Sequence, residues 1–262
     1  MSLFSIIVVC LNPGEKLRET VDSILVQTEK DVEIIIKDGN SMDGAVEALE
    51  KRENIRIIRQ ADKGIYDAMN QAAAQAKGEI LFFLNCGDKF HDETVLENVR
   101  KSVNGSDSKI FYGNIFSVLT GSLVPSNPHM DAFGCYRNVP CHQACFYKKE
   151  LFEERGYLLQ YKVRADYEHF LWSFFEKKAE PVYMPIVIAD YEGGGFSETK
   201  ENRRVSAAEH KEITAKYMSK GQLFKYKMIL AVTLAPVRSR MAESERFSKL
   251  YNGMKKVLYR KG

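Results

Sequence analysis

Over its first hundred residues the chain alternates short, continuously apolar, β-branched runs with segments of helical periodicity, and few folds accept that pattern. Residues 4–11 form a run closed by the turn signal Asn12-Pro13-Gly14. Leu17, Val21, Ile24 and Leu25 then recur at the spacing of one helical face. Further strands are predicted at 32–36, 55–58 and 80–84, and further helices at 44–51, 65–76 and 93–103, with Gly78 as a C-terminal cap of the helix before it. Strands apolar on both faces, separated by helices, predict an α/β fold: a mainly parallel, Rossmann-like sheet covered by helices on both faces. Such sheets bind ligands beyond the carboxyl ends of their strands. The polar loops Asn12, Asp38 to Ser41 and Asn85 to Asp88 all fall at those ends.

Residues 109–147 read as a mixed, partly antiparallel section, with strands at 110–118 and 141–147. A helix at 167–176, a strand at 182–188 and the loop Gly193-Gly194-Gly195-Phe196-Ser197 follow, the loop being either a closing lid or a plain surface connection. The expected organisation is a catalytic domain over 1–199, with a nucleotide half at 1–105 and an acceptor half at 106–199, then a basic helical extension at 200–262 broken at Pro236.

Charge supports that division. Residues 1–199 carry 22 Lys/Arg against 30 Asp/Glu, a balance of −8, whereas 200–262 carry 16 against 5, a balance of +11. Basic residues interleaved with Leu223, Phe224, Tyr226, Met228, Ile229 and Leu230 suit an anionic membrane surface; a solvated face or a self-association surface is the plainer alternative. No RNA- or DNA-binding motif accompanies the charge, so nucleic acid is not the expected partner. No stretch reaches the ~20 apolar residues that span a bilayer, and the first residues do not form a signal peptide. Five cysteines without a C-x-x-C pair exclude a zinc or redox motif and fit idle thiols in a reducing cytoplasm. The expected location is the cytoplasm, either free or peripheral at the membrane's inner face.

Five segments, in order, resemble the family-two glycosyltransferases of the GT-A fold. They are Ser5 to Asn12, Ile36 to Gly44, Lys63 to Asn70, Phe83-Leu84-Asn85-Cys86-Gly87-Asp88 and Ala165-Asp166-Tyr167-Glu168. The resemblance implies transfer of a sugar from a nucleotide-sugar donor, of UDP type or another, to a glycan or lipid-linked acceptor. It implies donor contacts at Asn12, Asp38, Lys63, Gly64 and Asn85, with Asp38 on the base and Lys63 on the diphosphate side. Asp88 would end the metal motif and hold Mg²⁺ or Mn²⁺, and Asp166 would be the general base. Asn85 stands where that motif's first carboxylate is usual, and Ala165 where a Glu is usual before the base.

The residues themselves leave alternatives open. Asn85 to Asp88 is also a plain tight turn, Asp38 also starts an Asx turn, and Asp166 also suits a helix N-cap. His142 and Gln143 either line the acceptor pocket or serve packing. On a helix Asp166 and Glu168 diverge by about 200°, so only one can face a substrate. A sugar nucleotidyltransferase and an inactive, membrane-associated nucleotide-binding module are the competing functions, the first weakened by the lack of an early Gly-rich phosphate loop.

Overall fold

The computed structural model describes residues 3–193 and 199–233. Four strands run parallel at one side of a nine-stranded sheet: β1 (Phe4–Cys10), β2 (Val32–Asp38), β3 (Ile55–Arg59) and β4 (Ile80–Phe83). The other side is mixed, built from β5 (Lys89–Phe90), β6 (Ile110–Ser117), β8 (Cys145–Lys148) and β9 (Pro181–Tyr191). The order is β3-β2-β1-β4-β8-β6-β9-β5, with β7 (Ser122–Val124) paired to β6. β8 runs antiparallel to both β4 and β6 and joins the two regions.

Helices flank the sheet. On one face Ile6, Val8, Ile34, Ile36 and Phe82 share a core with α1 (Lys16–Leu25) and α3 (Val95–Val103). The alternate residues Ile7, Ile35 and Phe83 are as deeply buried, and α2 (Ile65–Ala73) packs on β1 and β2. Alternate side chains leave a strand on opposite faces, so burial of both sets produces the continuous apolar runs. The short α4 (Ala132–Arg137) and α5 (Glu150–Glu154) precede α6 (Ala165–Phe175), α7 (Lys200–Tyr217) and α8 (Lys220–Val232).

Several local expectations are corrected. Residues 44–49 form turns rather than a helix, Gly44 having φ of 78°. α2 ends at Ala73, so Gly78 does not cap it. Gly78 instead lies against β1, where an added Cβ would come within 2.7 Å of the Phe4 and Ser5 backbone. The strand expected from 141 begins at Cys145, after a 3-10 turn at His142–Ala144. The chain forms two compact units, Met1–Ile213 and Thr214–Gly262. Gly194 to Ser197 of the glycine-rich loop, and Pro236 with the rest of the tail from 234, lie outside the described residues.

Candidate active site

The loop that ends β4 is held from α1. Thr20 Oγ1 accepts the Gly87 N–H at 2.9 Å and donates to the Asp88 carbonyl at 2.9 Å. The Asp88 N–H bonds the Asn85 carbonyl at 3.0 Å, so the segment is a tight turn as well as a site, and Gly87 turns it at φ of 106°. The Asp88 carboxylate is buried and accepts from Gln143 Nε2 at 2.9 Å and from the Glu192 N–H at 3.0 Å. Burial raises its pKa above the usual carboxylate value, and those two hydrogen bonds offset the shift only in part.

Asp166 sits in the first turn of α6. Its Oδ1 accepts from the Tyr66 hydroxyl at 2.9 Å and the Tyr167 N–H at 2.8 Å, and its Oδ2 lies 3.3 Å from His142 Nδ1. Burial pushes its pKa up, but the hydrogen bonds from His142, the Tyr167 N–H and Tyr66 hold it below the ordinary value. With the His142 proton on Nδ1, Nε2 is left to accept from Asn85 Nδ2, 3.0 Å away. Asp166 is therefore one imidazole ring from the loop after β4. Glu168, on the other side of α6, is fully buried in a bidentate pair with Arg155. One carboxylate of this helix faces the cavity, as the helical spacing requires.

Asn85, Asp88, His142, Gln143 and Asp166 line a single cavity of about 620 Å³, whose wall also includes Tyr66. Asn12, Asp38, Lys63 and Gly64 lie outside its lining. Asn12 and Asp38 meet through Ser41: its hydroxyl accepts the Asn12 N–H at 2.8 Å and donates to Asp38 Oδ1 at 2.6 Å. The Ser41 N–H also bonds Asp38 Oδ1, at 2.8 Å, and Arg59 Nε bonds Oδ2 at 2.7 Å. Asp38 Oδ1 thus takes both the N–H and the hydroxyl of Ser41, three residues on and so not an Asx turn, and the carboxylate has no exposed surface, so an added base would need local rearrangement to reach it. Gly64 is the N-cap of α2 at φ of 127°, a conformation only glycine adopts easily. The Lys63 N–H bonds Asp67 Oδ2 at 2.8 Å, and Lys63 is exposed.

Among the described residues no three His, Cys, Asp or Glu side chains gather into a metal site. The oxygens at hand are the Asp88 carboxylate and Asn85 Oδ1, which is buried without a hydrogen-bond partner. One anionic and one neutral oxygen fit a hard divalent ion that takes most of its ligands from phosphates and water. The cysteines are free, and burial pushes the Cys10, Cys86 and Cys141 thiols up to about 12, which leaves them inert.

The family model described as glycosyl transferase family 2 matches residues 5–180, from the start of β1 to the edge of β9. The chain belongs to glycosyltransferase family 2. This family-2 enzyme is 34% identical over 205 residues to a "PGL/p-HBAD biosynthesis glycosyltransferase" of Mycobacterium bovis, covering 75% of this chain and 80% of the relative. Its fold matches Staphylococcus aureus TarS 1–349, solved in complex with UDP-GlcNAc, at a TM-score of 0.64 and 16% identity, over 83% of this chain and 71% of that one. It spans 43% of the longer TarS chain. A mannosyltransferase from Pyrobaculum calidifontis, in complex with GDP-Man and Mn²⁺, matches at a TM-score of 0.60 and 14% identity, over 99% and 88% of the two chains. Membership removes the nucleotidyltransferase reading. One contact of the site had no sequence signal, the Glu192 backbone N–H on Asp88; Tyr66 stands in the segment Lys63 to Asn70 that resembles the family, but its partners about a hundred residues away were not foreseen.

Proposed function

We propose that this family-2 enzyme is an inverting transferase that moves a sugar from a nucleotide-linked donor to a hydroxyl of a glycan or lipid-linked acceptor. The observation that carries the reading is Asp166: a carboxylate held in its ionised form at the wall of the cavity that also contains Asn85 and Asp88. The acceptor O–H gives its proton to Asp166 as its oxygen bonds the anomeric carbon. The bond from that carbon to the diphosphate breaks, and the nucleoside diphosphate leaves with the electron pair. Double displacement needs a second carboxylate as nucleophile. Asp88 has both oxygens hydrogen-bonded, Glu192 on the same wall has both oxygens on Lys16 Nζ, and Glu168 is turned away against Arg155, which favours single displacement and inversion.

Mg²⁺ or Mn²⁺, arriving with the donor, would neutralise the charge that develops on the diphosphate. Asp88 and Asn85 Oδ1 are the residues to hold it. With one carboxylate available, affinity in the absence of nucleotide should be low. UDP-GlcNAc in TarS and GDP-Man with Mn²⁺ in the archaeal enzyme support a nucleotide sugar of either base. Asn12, Asp38, Lys63 and Gly64 are read as the donor's nucleotide side, and His142 and Gln143 as part of the acceptor wall. The five free thiols support a reducing, cytoplasmic setting.

The test pairs binding with turnover. Thermal shifts with UDP, GDP and their sugar nucleotides, with and without Mn²⁺, identify the donor, since stabilisation grows with concentration over Kd. Asp166→Asn is expected to keep that nucleotide-induced shift and to lose about 100-fold or more in kcat, the usual worth of a general base. Near-normal turnover in this variant would remove Asp166 from the role.

A second reading concerns the tail. Phe224, Met228 and Val232 are exposed at i, i+4 and i+8 on α8, and Lys225 borders that stripe on one side while Lys220 and Lys227 border it on the other. α8 has no acidic residue. An apolar strip between lysines is the pattern of a helix lying in an anionic bilayer surface. Among the described residues no helix is long and apolar enough to cross a membrane.

A further inference from the structure

We propose that Glu209, on α7, positions Asp166 for proton removal by fixing the backbone that leads into α6, so that the catalytic apparatus extends beyond the 5–180 segment that the family model matches. The inference rests on the reading of Asp166 as the general base.

Glu209 is an almost fully buried acid, 8% exposed. Its carboxylate accepts three consecutive backbone N–H groups: Lys162 at 2.7 Å on Oε1, and Val163 at 3.1 Å and Arg164 at 2.8 Å on Oε2. Successive N–H groups converging on one anion form a nest, and hydrogen bonds to a charged acceptor are about twice as strong as neutral ones. α6 has no side-chain cap of its own, Arg164 being its N-cap. Glu209 supplies from another helix the negative charge that a helix N-terminus favours. The Arg164 side chain is tied to the same helix, its Nε donating to Ser206 Oγ at 2.7 Å and to the Ser206 carbonyl at 3.1 Å.

The opposite side of this segment is held from α2. Tyr66 donates to the Val163 carbonyl at 2.8 Å and to Asp166 Oδ1 at 2.9 Å. Residues 162–164 are therefore clamped between a carboxylate that takes their N–H groups and a phenol that reaches both their carbonyl and the base. Asp166 follows two residues later, too close for the clamp to loosen without moving it.

The test is Glu209→Gln. Glutamine keeps the shape but offers one acceptor oxygen and turns an NH₂ group toward an N–H donor. Nucleoside diphosphate release is followed from UDP-glucose, UDP-galactose, UDP-N-acetylglucosamine and GDP-mannose with water taking the sugar, alongside amide exchange over residues 162–167. The expected result is faster exchange there, KM for the sugar nucleotide within about twofold of wild type, and kcat down about 100-fold, the cost of roughly 1 Å of misplacement. Wild-type kcat despite faster exchange would overturn the inference and leave Glu209 a purely structural acid. If Glu209→Gln does not fold, Glu209→Asp keeps the charge but withdraws it by one methylene. Unchanged kcat in that folded variant overturns the inference equally, and a fall in kcat at constant KM supports it. Asp166→Asn run in parallel separates the two failures. An inactive Asp166→Asn beside a fully active Glu209→Gln overturns only the role of Glu209. An active Asp166→Asn, or no release by the wild type from any of the four donors, overturns the reading beneath it as well.

Discussion

His142 touches two residues with different work to do, Asn85 through Nε2 and Asp166 through Nδ1. Its two nitrogens can be separated by substitution. The Asn side-chain nitrogen takes the place of Nδ1, and that of Gln takes the place of Nε2. If orienting Asp166 is the larger contribution, His142→Asn should keep kcat within about tenfold of wild type, whereas His142→Gln should lose more, toward about 100-fold, as expected for a hydrogen bond of ~1.5–3 kcal/mol to a charged group. Steady-state kcat at saturating donor, compared across the pair, decides this. At the same scale, Asp88, Asp166 and Tyr66 all stand in segments that resemble the family's motifs. Glu209 stands in none of them, and the contacts of Tyr66 and Glu209 were not legible, because their partners lie 97 and 100 residues away for Tyr66 and 45 to 47 for Glu209, and no spacing rule connects such pairs.

At the scale of elements, β1 and β4 ended within one residue of expectation, because both faces of each strand are buried and the apolar run marks its length, whereas β2 runs two residues past its apolar run through the buried Lys37 and Asp38. The helix expected at 44–51 did not form. Gly44 adopts a positive φ, and the described bonds there amount to Ala48 N–H to Gly44 and Leu49 N–H to Val46, too few to propagate a helix. α8 carries the clearest element-scale prediction. The enzyme should sediment with phosphatidylcholine vesicles containing phosphatidylglycerol and not with phosphatidylcholine alone, and salt should reverse the binding. Phe224→Ser with Met228→Ser, and separately Lys225→Glu, should each weaken it, a charge reversal acting on a contact worth about 1 kcal/mol per lysine. Equal sedimentation of these variants with the wild type would assign α8 to a solvated face.

The whole molecule responds to acid through a residue away from the reaction. His169 on α6 is fully buried, stacked on Phe152 at 4.3 Å, with Nε2 donating to the Arg155 carbonyl at 3.0 Å. Burial, with the Arg155 charge, pushes its pKa down from 6.5 to about 4, so it is neutral in the folded chain. Between those values the unfolded chain binds the extra proton, so stability is lost as pH falls from about 6.5 and the loss is complete near 4. Tm should therefore decline across that window, and His169→Gln should start lower but decline less steeply. Parallel slopes would show that carboxylates alone govern the acid limb.

By itself the sequence determined the alternation of buried strands and helices, the gathering of polar loops at the strand ends, and that only one acid of the pair Asp166 and Glu168 can face a cavity. These follow from periodicities of two and 3.6 residues, which are local properties of a chain. Tertiary structure decided what surrounds that acid: the imidazole between it and the β4 loop, the phenol from α2, and the carboxylate from α7 that seats its backbone. Those contacts depend on hydrogen-bond distances of about 3 Å between segments far apart in sequence, and only the packed sheet brings such segments together.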